Sequence, residues 1–172
     1  MQRCLTVLLL IVLSVGSTSS SEPTDNVRRL SFYHTHTFEE LSVTYYVDGE
    51  YVASEIKKLN HFLRDFRTED EVEMDPGVFD ILFEIQQRTG STGVFEVISA
   101  YRSPETNEML RSNSGGVARN SQHLLGKAID VRLTDLDTAE LRDIALSLER
   151  GGVGYYSESN FVHVDTGRVR RW

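Results

Sequence analysis

From Leu30 to Val52 the chain is dense in Val, Thr, Tyr and Phe, and Asp48-Gly49 sits between two β-prone runs. Asp-Gly tolerates the left-handed backbone of a two-residue hairpin turn, so this spacing predicts antiparallel strands joined there. Apolar residues next fall at Ile56, Leu59, Phe62 and Leu63 with charges between them, the period of a helix over 54–64. A second helix is expected from Asp75-Pro76, because proline at the first helical position gives up only an N–H that lacks a helical partner anyway. It carries Val78, Phe79, Leu82 and Ile85 and stops at Gly90. Residues 95–101 alternate as a strand, and the Ser-, Asn- and Gly-rich stretch 103–120 reads as a polar loop. Residues 128–133 read as a strand. Residues 138–149 read as a helix with Leu141, Ile144, Ala145 and Leu148 inward, ended by Gly151-Gly152, and residues 160–166 as the last strand. Hairpin-type pairing among interspersed helices predicts an α+β single domain, a mainly antiparallel sheet with helices packed on one face.

The N-terminus breaks this pattern. Arg3 precedes an apolar run, Leu5–Val15, and a small polar stretch, Gly16–Ser21. That order predicts a secretory signal peptide at 1–21, followed by a polar linker at 22–29 and a domain at 30–172. The run falls short of the roughly 20 apolar residues that span a bilayer, so no stable membrane insertion is expected once the signal is removed; an uncleaved N-terminal anchor is the alternative. Cys4, the single cysteine, leaves with the signal and takes thiol and disulfide chemistry with it. Hydrophobic residues make up 40% of the 172, enough for a real core. The formal net charge of -8 argues against a nucleic-acid partner, which would need an excess of Lys and Arg to displace counterions.

The candidate chemistry lies in two histidines. His123 stands seven residues before Asp130, and His163 lies in the last strand. A hydrolytic zinc site needs three nitrogen or oxygen ligands and one open position, and two histidines with a carboxylate supply that set. Asp130 lies between Ile129 and Val131, where an unpaired carboxylate would cost several kcal/mol to bury and a metal would offset the cost. Taken singly, each residue also fits a plain role, a core histidine or a solvated strand aspartate.

Four segments carry a resemblance: Ser99–Asn107, Asn120–Val131, Gly151–Gly167 and the closing Val-Arg-Arg-Trp, with the opening at Leu30–Leu41 in keeping. Together they resemble the M15-type zinc peptidases, most of all the YcbK/MepK-like group of bacterial murein endopeptidases, which share the Hedgehog/DD-peptidase fold. The resemblance implies one Zn2+ per chain held by His123, Asp130 and His163. It implies that Arg102 faces the scissile carbonyl, where a guanidinium stabilises the oxyanion, although a loop-binding arginine is the plain alternative. Ser121 matches a substrate-contacting serine or else caps its loop, and Tyr101 and His36 join it as expected substrate contacts. His34 shares a strand face with His36; a sheet-edge pair is their plain reading. Relatives place a base two or three residues before the last ligand, but Asn160 and Phe161 stand there. Asp165, on the strand face of His163, is the candidate base, with fixing His163 or shaping a turn as the alternatives.

The function so implied is zinc-dependent hydrolysis of peptide cross-links in peptidoglycan, after export to the periplasm. A D-amino-acid carboxypeptidase or dipeptidase, and a non-catalytic zinc-containing wall-binding protein, are the alternatives. No serine-elbow motif is present and no cysteine remains after the signal, so attack by water is expected rather than a covalent intermediate.

Overall fold

The β-prone opening forms strands Val27–His34 (β1) and Glu40–Val47 (β2), and the Asp48-Gly49 turn folds Glu50–Tyr51 (β3) back onto β2. Both turn residues have positive φ, 51° and 96°, as such a turn demands. Helices Ala53–Phe62 (α1) and Pro76–Thr89 (α2) follow, then strand Phe95–Ser99 (β4) and helix Pro104–Asn113 (α3). Strand Ala128–Leu133 (β5), helix Thr138–Ser147 (α4) and strands Gly152–Tyr156 (β6), Phe161–Asp165 (β7) and Arg170–Arg171 (β8) complete the order. This computed structural model describes residues 26–113 and 116–172; the signal expected at 1–21 and residues 22–25 of the expected linker lie outside them.

Among the described residues the eight strands share one sheet, ordered β3-β2-β1-β4-β5-β7-β6-β8, antiparallel except at β1–β4 and β6–β8. One face is apolar: Phe32, Phe95, Val97, Val131, Val162 and Val164 are buried in one cluster with Leu59 of α1, Phe79 and Leu82 of α2 and Leu141 of α4. Full burial of each such side chain contributes roughly 1.5–3 kcal/mol. The expected α+β domain with helices on one face of a mainly antiparallel sheet is therefore present. Because side chains alternate along a strand, Asp130 and His163 face the side opposite this apolar cluster. Asp75 caps α2, its carboxylate accepting from the Gly77 N–H at 2.9 Å, and Gly90 ends the helix at φ 67°.

Three stretches differ from expectation. β1 starts at Val27, inside the stretch read as linker, because Arg28 is charged yet built in: it pairs with Asp80 at 2.6 Å and stacks 4.1 Å over Tyr46. The polar loop expected at 103–120 contains α3, whose buried residues include Thr106 and Asn107 rather than an apolar stripe. Its start is capped by Ser103, whose hydroxyl accepts from the Thr106 N–H at 3.1 Å. Strand β6 carries two glycines, a loop-like composition with a packing cause. A Cβ on Gly154 would lie 2.6 Å from the ring of Trp172, which rests on this strand.

His34 ends β1 fully buried, and its Nδ1 accepts from the backbone N–H groups of His36 and Thr37 at 3.2 and 3.3 Å. Burial, and then the nearby His36, pull its pKa down to about 4. Since the folded value lies below the unfolded one of 6.5, the unfolded chain takes up the proton first as pH falls. The contribution is complete above about pH 6.5 and is lost on the way down to about pH 4, a change on the order of 3 kcal/mol. His34→Asn keeps a side-chain acceptor without the titration, so its urea midpoint should fall less than the parent's between pH 7 and 4.5. Equal falls would contradict this assignment.

Candidate metal centre

Strand pairing brings the site together. Asp130 of β5 lies directly opposite His163 of β7, and Ser99 of β4 opposite Asp130 on its other side. His123 comes from a short 3-10 helix, Gln122–Leu125, whose N-terminus is capped by the Ser121 hydroxyl accepting from the His123 N–H at 3.3 Å. Gly126 ends that turn at φ 65°, and a Cβ there would lie 2.8 Å from the Glu73 carbonyl. This is the residue that lets the chain bend from His123 into β5.

Hydrogen-bond partners fix the tautomers. His123 Nδ1 lies 2.5 Å from the Ala100 carbonyl, to which it donates, so Nε2 is left with a free lone pair. His163 Nε2 lies 2.8 Å from Asp165 Oδ2, so Nδ1 is left free. These two atoms and Asp130 Oδ1 form a triangle with sides of 3.2, 2.8 and 3.1 Å. Ligands about 2.1 Å from a tetrahedral zinc are roughly 3.4 Å apart, within about 0.6 Å of every side. Three converging lone pairs repel one another unless a proton or a cation lies between them, and His123, Asp130 and His163 are all buried. The residues present thus fit zinc.

The electrostatics agree. Burial works to raise the Asp130 pKa, but His123 and His163 outweigh it and hold the carboxyl ionised. Burial depresses His123 and leaves it neutral, the ligand form. For His163 burial also works downward, yet its hydrogen bonds to Asp130 and Asp165 prevail and raise the pKa. In the absence of a cation, then, the proton that relieves the triangle belongs on His163.

Arg102 contacts Asp130 from outside the triangle, Nη2 to Oδ2 at 2.6 Å, while its Nε donates to Ser99 Oγ at 2.9 Å. Asp165 lies behind His163, 0% exposed. Its oxygens accept from the N–H groups of Gly152 and Gly167 at 3.1 and 2.8 Å, from Arg170 Nη1 and Nη2 at 3.0 and 2.6 Å, and from His163. Burial works to raise its pKa, but His163 and then Arg170 lower it.

The centre opens into a cavity of about 460 Å³ whose lining includes Arg102, Ser121, Tyr156, Phe161, Arg170 and Trp172. Of the expected substrate contacts, Ser121 lines it. Tyr101 instead packs against the core, and His36 stacks on Phe66; neither lines this cavity. Arg170 and Trp172 were not anticipated as site residues. The sequence signal was the closing Val-Arg-Arg-Trp, which carried part of the resemblance and puts Arg170 five residues after Asp165.

Residues 22–172 match the model of the family Peptidase_M15_2, described as peptidoglycan L,D-endopeptidase MepK. The chain belongs to this family. A curated relative from Escherichia coli K12, named peptidoglycan L,D-endopeptidase MepK, is 42% identical over 149 residues, which cover 87% of this chain and 82% of the relative. A Haemophilus influenzae protein, named probable peptidoglycan L,D-endopeptidase MepK, is 43% identical over 150 residues, 87% and 81% of the two chains. No solved structure matches. M15 peptidases are zinc-dependent as a family, and the His123, Asp130 and His163 group offers a metal the matching donors. Among the described residues no helix is long and apolar enough to cross a membrane.

Proposed function

We propose that this chain is a zinc-dependent peptidoglycan endopeptidase that hydrolyses cross-links between stem peptides, at a bond joining an L-centre to a D-centre. The observation that carries this reading is the convergence of one ligand-type atom from each of His123, Asp130 and His163 in a cavity, in a family whose curated relatives bear that activity in their names. The N-terminal apolar run supports export, and hence action in the periplasm.

His123 Nε2, Asp130 Oδ1 and His163 Nδ1 would hold one zinc. When bound, zinc supplies a Lewis acid that activates water and polarises the peptide carbonyl. The chain's own residues do the rest. The Ala100 carbonyl keeps the proton of His123 off the ligand atom. Asp165 does the same for His163 and prevents the ring from rotating. With its carboxylate engaged by five donors, buried and outside the cavity lining, Asp165 is a positioning residue rather than the base. Arg102 lines the cavity, holds Asp130 with one arm, and supplies positive charge for the oxygen that becomes negative as the carbonyl is attacked. Ser121 both caps the turn bearing His123 and presents its edge to the cavity.

Purified peptidoglycan sacculi incubated with the zinc-loaded protein should lose cross-linked dimers of the L,D type, as read by mass spectrometry of the released muropeptides, without release of free D-amino acids. Free D-alanine with the dimers intact would establish carboxypeptidase action instead, and an unchanged wall would establish binding without catalysis. Arg102→Lys keeps a cation beside Asp130 but loses the planar fork, so zinc content should persist while kcat falls roughly 100-fold. A rate within about twofold of the parent would return Arg102 to a purely structural role.

A further inference from the structure

Strand pairing puts a tyrosine on the metal face of the sheet. Gly154 of β6 lies opposite His163 and Tyr156 opposite Phe161, so alternation turns Tyr156 to the same side as Asp130 and His163. Its ring stacks on that of Phe161, with centres 4.5 Å apart and an interplanar angle of 19°. From β6 and β7 the metal cavity takes Tyr156, Phe161 and His163. His163 is a ligand and Phe161 has no polar side-chain atom, which leaves the Tyr156 hydroxyl as the polar group these two strands offer a substrate.

Trp172 fixes that hydroxyl in place and in direction. The Trp172 backbone is tied to β6: its N–H donates to the Val153 carbonyl at 3.3 Å and its carbonyl accepts from the Tyr155 N–H at 3.1 Å. The indole lies over Gly154, where a Cβ would come 2.7 Å from Nε1. Its ring centre is 5.1 Å from that of His163, and the Arg170 guanidinium carbon lies 4.9 Å from it. Nε1 donates to Tyr156 Oη at 2.9 Å. The hydroxyl is thereby drawn back toward Gly154, the residue opposite His163, rather than pointing along the strand toward the β6–β7 turn. An indole N–H is a donor only, so the direction of this bond is unambiguous. Tyr156 Oη accepts, and its own proton is left to be given elsewhere. Among the described residues no protein acceptor takes that proton, and the space the tyrosine lines is the metal cavity.

We propose that Tyr156 is a catalytic hydrogen-bond donor, giving its O–H to the tetrahedral centre formed when water adds to the peptide carbonyl, with Trp172 as the residue that positions it. This rests on the reading of the chain as a zinc-dependent hydrolase of stem peptides. Sheet order separates the two donors: Arg102 follows β4, on one side of the strands β5 and β7 that carry Asp130 and His163, and Tyr156 stands on β6, on the other. They flank the reacting bond. In the reaction the oxygen of water becomes the new carboxylate oxygen, the carbon–nitrogen bond breaks, and the leaving amine takes both protons of the water. Tyr156 keeps its own proton throughout. A bond made to the tetrahedral centre and not to the planar peptide acts on kcat rather than on KM.

The test uses the full zinc-loaded chain, a cross-linked dimer as substrate, and two probes that are not cut: a phosphinate analogue of the cross-link, whose tetrahedral oxygens imitate the intermediate, and a stem tetrapeptide without a cross-link. Tyr156→Phe keeps the stack on Phe161 and removes only the hydroxyl. It should lower kcat at least tenfold and up to roughly 100-fold with KM within about twofold, with zinc content and Tm unchanged. By calorimetry it should lose roughly 10- to 100-fold in affinity for the phosphinate and less than about twofold for the tetrapeptide. Trp172→Phe removes the donor to Tyr156 and should lower kcat by a smaller factor, which should disappear when it is combined with Tyr156→Phe. A kcat for Tyr156→Phe within about twofold of the parent, equal losses on the two probes, loss of zinc from that variant, or no measurable binding of the phosphinate by the parent would overturn the donor. A Trp172→Phe loss that persists in full beside Tyr156→Phe would overturn the positioning role. If the parent binds the phosphinate with the expected dependence on Tyr156 yet cuts no cross-link, the endopeptidase reading falls and the donor stands; if it cuts and Tyr156→Phe cuts equally well, the donor alone falls.

Discussion

His123→Ala and Asp130→Ala should each abolish zinc retention, because three protein ligands leave none to spare. Elemental analysis of the parent should give about one zinc per chain, and the variants close to none. Endopeptidase activity should fall with the metal by roughly 10³-fold or more, since metal polarisation of a carbonyl is worth several kcal/mol and each ~1.4 kcal/mol is a factor of ten. The two variants should differ in stability. His123→Ala removes one of three mutually repelling donors, and the fold without metal can tolerate that. Asp130→Ala leaves Arg102 and His163 facing a buried space without their shared carboxylate, so a further loss on the order of 3 kcal/mol is expected. Full zinc occupancy in both variants would show that the metal is held elsewhere.

The second large effect concerns Asp165, which touches neither the cavity nor a ligand atom. Asp165→Asn replaces an acceptor of the His163 Nε2–H with an amide that can present either end, and it removes the negative charge paired with Arg170 at 2.6 Å. Zinc affinity should drop roughly 10- to 100-fold, and excess zinc should restore much of the rate. A base would behave differently: affinity would hold, kcat would collapse, and added zinc would recover nothing. Titrating the variant with zinc while following cross-link cleavage separates the two roles.

Legibility in the sequence varied with the kind of signal. The helix at 76–89 announced itself through Asp75-Pro76, an apolar stripe and Gly90, all local features. The grouping of His123, Asp130 and His163 was implied by the family resemblance, and the cost of an aspartate inside an apolar strand pointed to a partner for Asp130. By contrast, α3 carries buried polar residues, Thr106 and Asn107, where an apolar stripe would be sought, so no periodicity betrays it. β6 is spelled Gly-Val-Gly-Tyr-Tyr, and its glycines make sense only once Trp172 is seen lying on Gly154. Strand alternation put Asp165 on the face of His163, as found, but could not count the donors that surround its oxygens. Those come from Gly152, Gly167 and Arg170, which meet only through the β6–β7 and β6–β8 pairings. The expected contacts Tyr101 and His36 were near in sequence or strand register to the site, yet proximity along the backbone did not place either side chain in the metal cavity. His36 instead stacks on Phe66.

The central claim, that His123 Nε2, Asp130 Oδ1 and His163 Nδ1 are the zinc ligands, is tested most directly by anomalous diffraction across the zinc absorption edge from crystals of the zinc-loaded protein. A single peak about 2.0–2.2 Å from each of those three atoms is the expected result. A peak on other atoms, such as His163 Nε2 with Asp165 or the exposed His61 with Glu71, or no peak at the triangle at all, would contradict it.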